Sequence, residues 1–148
     1  MAFLFPSPEW ANAYKDALNA SAAYAEAGKD WTHGVVAMIV KAEPALGLPE
    51  DLGLWLDVHG GKCNSIKLVP AAEVEAAPFI IVATYAMWKS VIKKELDPIK
   101  GMMQNRLKLT KGHMPTIVKY VKSSRELVET TSKVPTLFRD EGSPPKEA

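Results

Sequence analysis

The first part of the chain has the apolar spacing of an α-helix. Ser7 can cap the start of a helix, Pro8 suits its first position, and Gly28 suits its C-terminal end. Between Ser7 and Gly28 many alanines favour helix, and apolar side chains recur at helical spacing. These recurring positions are Trp10, Tyr14, Ala17, Leu18 and Tyr24. The pattern predicts one helix between Ser7 and Gly28.

The pattern then changes to that of β-strands. Residues 35–40 (VVAMIV) form a short, almost wholly apolar run, which is typical of a central strand. Residues 52–58 alternate leucine or valine with other residues, as expected of a strand with one buried face. Gly60-Gly61 supplies the positive-φ positions of a tight turn. Residues 62–69 then return as the second strand of a predicted hairpin, with Ile66 and Leu68 on one face.

A fourth strand and a helix follow the hairpin. Residues 79–83 (FIIVA) have the composition of a buried strand. Thr84 can cap the helix that comes next. Its apolar stripe consists of Met87, Trp88, Val91 and Ile92.

The last third of the chain predicts two more helices around a short strand. Asp97-Pro98 is a cap followed by a first-turn proline, and it opens a short helix that runs to Gln104. Residues 107–110 predict a strand, and Gly112 precedes a final helix that stops before Pro135. The apolar face of that helix is Met114, Ile117, Val118, Val121 and Val128. Because strands come mostly first and helices mostly later, we predict an α+β fold in which helices cover one face of a largely antiparallel sheet.

Composition narrows the class of protein. The 148 residues are 47% hydrophobic and 24% charged, with 18 basic against 17 acidic side chains. Nucleic-acid binding draws most of its affinity from phosphate neutralisation, so this balance argues against a nucleic-acid partner.

The lone cysteine, Cys63, excludes an internal disulfide and fits a reducing compartment. No apolar run approaches the roughly 18 residues that a spanning helix needs. We predict a cytoplasmic protein with one domain over residues 1–138 and a disordered tail over residues 139–148 (RDEGSPPKEA).

Few residues could support catalysis. The best constellation is Asp57 orienting His59, with Cys63 across the hairpin as a nucleophile. We favour the simpler interpretation, an exposed strand face that carries an inert thiol. The spacing of histidines, cysteines and carboxylates predicts no metal site, and no phosphate-binding loop is present. We therefore predict no catalytic residue.

A locally basic group surrounds the short helix. It consists of Lys89, Lys93, Lys94, Lys100, Arg106, Lys108 and Lys111. Such a group could attract an anionic head group, the phosphates of coenzyme A or a membrane surface. We favour a solvated face instead, because charge runs on helices usually contact water.

The most specific part of the sequence is residues 88–112 (WKSVIKKELDPIKGMMQNRLKLTKG). Here a tryptophan-bearing helix runs into Leu96-Asp97-Pro98, a short helix follows, and Leu107-Lys108-Leu109 precedes a turn at Gly112. This order and spacing resemble the signature region of the sterol carrier protein type-2 family. The family often has glycine where this chain has Lys94-Glu95, glycine at the position of Asn105 or Arg106, and Gly-Asp where this chain has Gly112-His113. Asparagine is a tolerable substitute because it can adopt positive φ.

The resemblance implies both a fold and a function. Family members have a five-stranded, mostly antiparallel sheet covered on one face by helices, with an apolar tunnel between the layers. They bind and transfer sterol-like molecules, fatty acids or fatty acyl-CoA, require no cofactor or metal, and are not enzymes by themselves. A lipid partner is thus expected, together with transient contact with a membrane surface. The oligomeric state is left open, with a homodimer as one option.

The expected ligand lies between the sheet and the later helices. Methionine side chains suit such a site because they repack easily, although methionines on helices are more often ordinary core residues. The expected lining is Ile39, Leu54, Leu56, Ile66, Leu68, Met87, Trp88, Ile92, Met102, Met103, Ile117 and Val121. Two alternatives are an accessory module whose cavity is filled, and an enzyme that uses His59 on an apolar acyl or aromatic substrate.

Overall fold

The computed structural model describes residues 2–140. Its helices are α1 (Pro8–Ala20), α2 (Ala22–Ala27), α3 (Tyr85–Ile92), α4 (Pro98–Met103), α5 (Met114–Lys119) and α6 (Val121–Thr131). Its strands are β1 (Phe3–Phe5), β2 (Val36–Val40), β3 (Leu52–His59), β4 (Lys62–Pro70), β5 (Phe79–Ala83), β6 (Lys108–Lys111) and β7 (Thr136–Phe138).

Five strands form one sheet in the order β4-β3-β2-β5-β6. The central pair, β2 and β5, is parallel, and the other three pairs are antiparallel. The parallel pair needs a crossover connection, and the β3–β4 hairpin lies within it. The predicted α+β fold with a mostly antiparallel sheet is confirmed.

The main core lies between one face of this sheet and the helices. Val36, Leu54, Leu56 and Ile81 project from the strands into that layer and are at most 6% exposed. The opposite face of the sheet carries a smaller apolar cluster. There Ala37 and Ile80 pack with Val74 of a short 3₁₀ turn and with Ala77. Most of the apolar burial is thus on the helical side, as the sequence predicts.

Both long helices predicted from the sequence are broken. Ser21 has extended backbone, and its hydroxyl accepts a hydrogen bond from the Tyr24 amide at 3.0 Å, so it ends α1 and caps α2. Serine competes with the helix ladder in this way because its short side chain reaches nearby amides. The last helix breaks at Tyr120, where φ is −103° and ψ is 38°. As a result Val118, predicted on the buried face, is 43% exposed.

The two ends of the described chain pair with each other. β1 and β7 form a parallel two-stranded ribbon that the sequence analysis did not predict. Arg139 is the first residue of the predicted tail. Its Nη2 donates a hydrogen bond to the Pro6 carbonyl at 2.9 Å, and its backbone amide donates one to the Tyr85 hydroxyl at 2.7 Å. Asp140 accepts an ion pair from Lys89 at 2.8 Å. Arg139 and Asp140, the first two residues of the predicted tail, thus have partners on the body of the domain, and residues 141–148 lie outside the described residues.

The hairpin turn yields a stability prediction. Gly60 and Gly61 have φ of 60° and 83°, but a Cβ at Gly60 would meet nothing closer than 3.9 Å, whereas a Cβ at Gly61 would collide with the Ala25 backbone. We expect Gly60→Ala to cost about 1–2 kcal/mol, the usual penalty of a left-handed residue. Gly61→Ala should cost about 2–5 kcal/mol, since overpacking adds to that penalty. Urea unfolding of the two variants measures the difference, and equal costs would contradict the close approach of α2 to the turn.

Candidate functional site

Two small apolar cavities lie between the sheet and the helices. The first cavity, of about 40 Å³, has walls from β2, β3, β5 and helices α3 to α6. Its lining residues are Trp31, Val36, Met38, Val58, Ile81, Trp88, Pro98, Met102, Leu107, Ile117, Ser123, Ser124, Leu127 and Val128. The second cavity, of about 30 Å³, lies toward α1. It is lined by Phe5, Trp10, Tyr14, Met38, Val40, Leu54, Trp88, Val91, Ile92, Val128 and Thr131.

Three side chains belong to the walls of both cavities. They are Met38 from the central strand, Trp88 from α3 and Val128 from α6. Trp88 is held in place because its Nε1 donates a hydrogen bond to the Ile39 carbonyl at 2.8 Å. Met38 has no such constraint, and its unbranched thioether side chain changes rotamer easily. The expected tunnel is therefore not observed as one continuous space; two cavities stand on either side of this divider.

On the wall of the second cavity the side-chain donor hydrogens already have partners. The Tyr14 hydroxyl donates to the Leu127 carbonyl at 2.6 Å, and Trp10 Nε1 donates to Thr136 Oγ1 at 2.9 Å. Thr131 Oγ1 donates to the Val128 carbonyl at 2.5 Å. Burial raises the pKa of Tyr14 well above its ordinary value, so the phenol stays neutral. The second cavity therefore offers a ligand no free hydrogen-bond donor.

The predicted lining residues fall into three groups. Leu54, Trp88, Ile92, Met102 and Ile117 line one or both cavities. A second group belongs to the same core without lining either cavity: Leu56, Ile66, Leu68, Met87 and Val121. Ile39 and Met103 form the third group, which lies away from the cavities.

The placement of Ile39 and Met103 in the site was wrong. Successive residues of a strand point to opposite faces, and in β2 it is Val36 and Met38 that face the helices. Ile39 packs with the small cluster on the other face. Met103 ends the short helix α4 and is 69% exposed.

Sequence analysis missed several lining residues. In the β2 run every residue is apolar, so the pattern cannot show which alternate positions face the helices, and Met38 was overlooked. Trp31 comes from a loop, where no periodicity applies. Leu127 could have been found, because it lies at helical spacing from Ser123 and Ser124 on the inner side of α6.

The residues considered for catalysis do not form a site. Cys63 lies on the helical side of the sheet opposite Val58, is 3% exposed, and its backbone exchanges hydrogen bonds of 2.9 Å with the Asn19 side chain. Burial raises the pKa of the Cys63 thiol to about 11. His59 is exposed. Cys63 is therefore buried and does not lie on the exposed strand face that the sequence analysis favoured.

The basic side chains do not converge on the cavities. Lys94 pairs with Glu129 at 2.5 Å, Lys111 donates to the Glu75 carbonyl at 2.7 Å, and Lys89 pairs with Asp140. Each of these partners lies in a different part of the surface, and no basic residue of the described part lines either cavity. This arrangement supports the solvated face that the sequence analysis favoured.

Neither a metal site nor a membrane span is found in the described part of the chain. Among residues 2–140, no three His, Cys, Asp or Glu side chains are grouped so that they could hold a metal ion. Within the same residues, no helix has the length and apolar character that crossing a membrane requires.

Apolar cavities between a five-stranded sheet and a helical layer define a class of small-molecule-binding α+β domain. The model of the SCP-2 sterol transfer family matches residues 12–122, which is more than half of the chain. The chain belongs to this family. No curated protein sequence gave a match.

Solved structures agree with this assignment. A crystal structure of sterol carrier protein 2 is 34% identical with a TM-score of 0.80, and the alignment covers 86% of this chain and 97% of that one. A solution structure of a protein from Thermus thermophilus is 33% identical with a TM-score of 0.80, covering 88% and 90%. Sterol carrier protein 2 from Yarrowia lipolytica, in its apo form, is 14% identical with a TM-score of 0.53, covers 81% and 87%, and shows the fold alone.

The departures from the signature region have a backbone explanation. Lys94 and Asn105 have φ of 65° and 60°, the left-handed region in which glycine is most comfortable. Asn105 thus adopts the positive φ for which asparagine is a tolerable substitute. Gly112 has φ of 123°. Two positions at which the sequence analysis noted a departure from glycine are thus left-handed in this chain.

The burial of Cys63 predicts slow thiol chemistry. A pKa near 11 instead of the ordinary 9.0 lowers the thiolate fraction about a hundredfold. At mildly alkaline pH we expect a disulfide reagent to modify the folded protein at least about a hundredfold more slowly than the unfolded protein. The matched control is Cys63→Ala with Asn64→Cys, since Asn64 is the exposed neighbour. Equal rates for Cys63 and the control would contradict the burial.

Proposed function

We propose that this protein binds and transfers lipids between the sheet and the helices, without catalysis. The ligand classes are sterol-like molecules, fatty acids and fatty acyl-CoA. Membership of the SCP-2 sterol transfer family supports lipid binding in general. The observation that carries the proposal to this chain is the pair of apolar cavities whose walls share Met38, Trp88 and Val128.

Binding requires the two cavities to open and join. At about 40 and 30 Å³ they are far below the roughly 300–1,000 Å³ of sites that hold drug-sized ligands. The helices α4 and α5 have six residues each, and α5 meets α6 at the break at Tyr120. Short helices joined by a break can shift as units when a ligand occupies the layer beneath them. Burial of the lipid, at about 25 cal/mol per Å² of apolar area, supplies the free energy for that movement.

A second candidate is an accessory or interaction module that retains the fold with a filled interior. The small volume of both cavities favours it, because dense packing is what such a module would show. It predicts that no lipid binds saturably. An enzyme that uses His59 is not supported, since His59 is exposed and lines neither cavity.

Transient membrane contact and a cytoplasmic location complete the proposal. Met103 and Val118 are exposed apolar side chains at 69% and 43%, and they follow or precede the basic residues Lys100 and Lys119 within the same helices. Apolar and basic groups together favour an anionic membrane surface. The cytoplasmic location rests on the single reduced cysteine.

Lipid binding can be tested at the divider. We expect a fluorescent fatty acid and its methyl ester to bind saturably to the wild type. Met38→Ala should bind the ester severalfold more tightly, because it joins the cavities, and Met38→Trp should bind it more weakly. Fluorescence titration measures both.

The matched controls are Ile39→Ala and Ile39→Trp, one residue further along β2 on the opposite face. They should remain within about twofold of the wild type, since they do not alter the cavity walls. Absence of saturable binding of any acyl probe to the wild type would exclude the carrier function and favour the accessory module.

A further inference from the structure

The first cavity contains one kind of polar group, the hydroxyls of Ser123 and Ser124 on α6. Every other lining residue is apolar except for two indoles. Both indole N–H groups are already used, because Trp31 Nε1 donates to the Gly34 carbonyl at 2.9 Å and Trp88 Nε1 donates to the Ile39 carbonyl at 2.8 Å. The two serine hydroxyls are therefore the hydrogen-bonding groups that the wall offers to a ligand.

Ser123 is unusual among the buried hydroxyls of α6. It is 4% exposed, yet its hydroxyl has no hydrogen-bond partner within the described residues. The other two buried hydroxyls on this helix bond backwards to the helix itself. Thr130 Oγ1 donates to the Glu126 carbonyl at 2.7 Å, and Thr131 Oγ1 donates to the Val128 carbonyl at 2.5 Å. Among the described residues the fully buried side-chain polar atoms without a partner are Tyr24 Oη and Arg139 Nε, so the Ser123 oxygen keeps some accessible surface. Since Ser123 lines the first cavity, a polar group that enters this cavity can reach its hydroxyl.

The partner must be a neutral group. No basic residue of the described part lines either cavity, and a carboxylate buried there would have no cation to offset its desolvation. A hydroxyl or a carbonyl oxygen has a much smaller desolvation cost and matches the donor and acceptor capacity of serine. The cavity also exceeds the roughly 10–15 Å³ that one water occupies, so a ligand hydroxyl can replace such a water and reproduce its hydrogen bonds.

We propose that Ser123, assisted by Ser124, anchors the neutral polar head of the ligand in the first cavity, and that the apolar tail extends past Met38 into the second cavity. This inference rests on the proposed function and refines it. It assigns an orientation, because the hydroxyl donors without a partner lie on the wall of the first cavity, whereas those on the wall of the second are already engaged. It also ranks the ligands: lipids with a single hydroxyl or carbonyl bind better than fatty acid anions of the same length.

The test compares three head groups on one chain length. 1-Dodecanol, 1-chlorododecane and dodecanoate displace a fluorescent methyl ester from the wild type, at a pH where dodecanoate is ionised. We expect the alcohol to bind about two- to tenfold more tightly than the chloroalkane, the range of one net hydrogen bond, and more tightly than the carboxylate. This ranking needs no variant, so it decides the question even where a substitution affects folding.

The variants then identify the anchor. Ser123→Ala should remove most of the difference in affinity between the alcohol and the chloroalkane. Thr130→Val is the matched control, because it deletes a buried hydroxyl of the same helix that is already paired and lines neither cavity. It should preserve the difference.

Failure of the proposed function and failure of the serine anchor would give different results in these experiments. If no probe binds to the wild type, the proposed function fails and the anchor fails with it. If probes bind but the alcohol and the chloroalkane compete equally, or dodecanoate competes best, lipid binding stands and the serine anchor is overturned. Retention of the full difference in Ser123→Ala overturns the anchor in the same way.

Discussion

The hydrogen bond from the Trp88 indole to the Ile39 carbonyl joins the two layers of the domain at their centre. At 2.8 Å it ties α3 to the middle strand of the sheet. Because the indole ring is large and its polar end is anchored, it cannot swing aside as an aliphatic chain could. The ring therefore stands as a fixed wall with apolar space on both sides. This contact fixes one of the three side chains that the two cavity walls share, and the other two are Met38 and Val128.

The interior is a compromise between packing and capacity. A fully packed layer would be more stable, since empty volume in a core lowers the free energy of unfolding. Two cavities of about 40 and 30 Å³ lower the free energy of unfolding only slightly. They lie where the packing between the sheet and the helices is incomplete. The first cavity lies under the short helices α4 and α5, where the helical layer is least continuous, and the second lies toward α1.

The two cavities differ in whether the hydroxyl groups on their walls already have hydrogen-bond partners. Around the second cavity the hydroxyls of Tyr14 and Thr131 are engaged with backbone carbonyls, and burial raises the pKa of the phenol so that it stays neutral. Around the first cavity the Ser123 hydroxyl has no partner among the residues that the structure describes. This hydroxyl lies on the wall of the first cavity and is the group to which the proposed anchor is assigned. The two cavities differ more in the hydroxyl groups available on their walls than in their volumes. This difference is the basis for expecting the head of a ligand in the first cavity and its tail in the second.

Local patterns in the sequence determined the elements and the family. Caps at Ser7, Thr84 and Asp97 bond the amides expected of them, and alternation correctly showed which face of β3 is buried. Such features depend on neighbours along the chain, so a sequence carries them directly. Only the tertiary structure decided which face of the uniformly apolar β2 meets the helices, where helices break, and that the ends form a ribbon. Those outcomes depend on contacts between residues that are far apart in the sequence. For that reason Ile39 was assigned to the helical face and Met38 was not predicted as a lining residue. The position of the Ser123 hydroxyl at a cavity wall likewise emerged only from the folded protein.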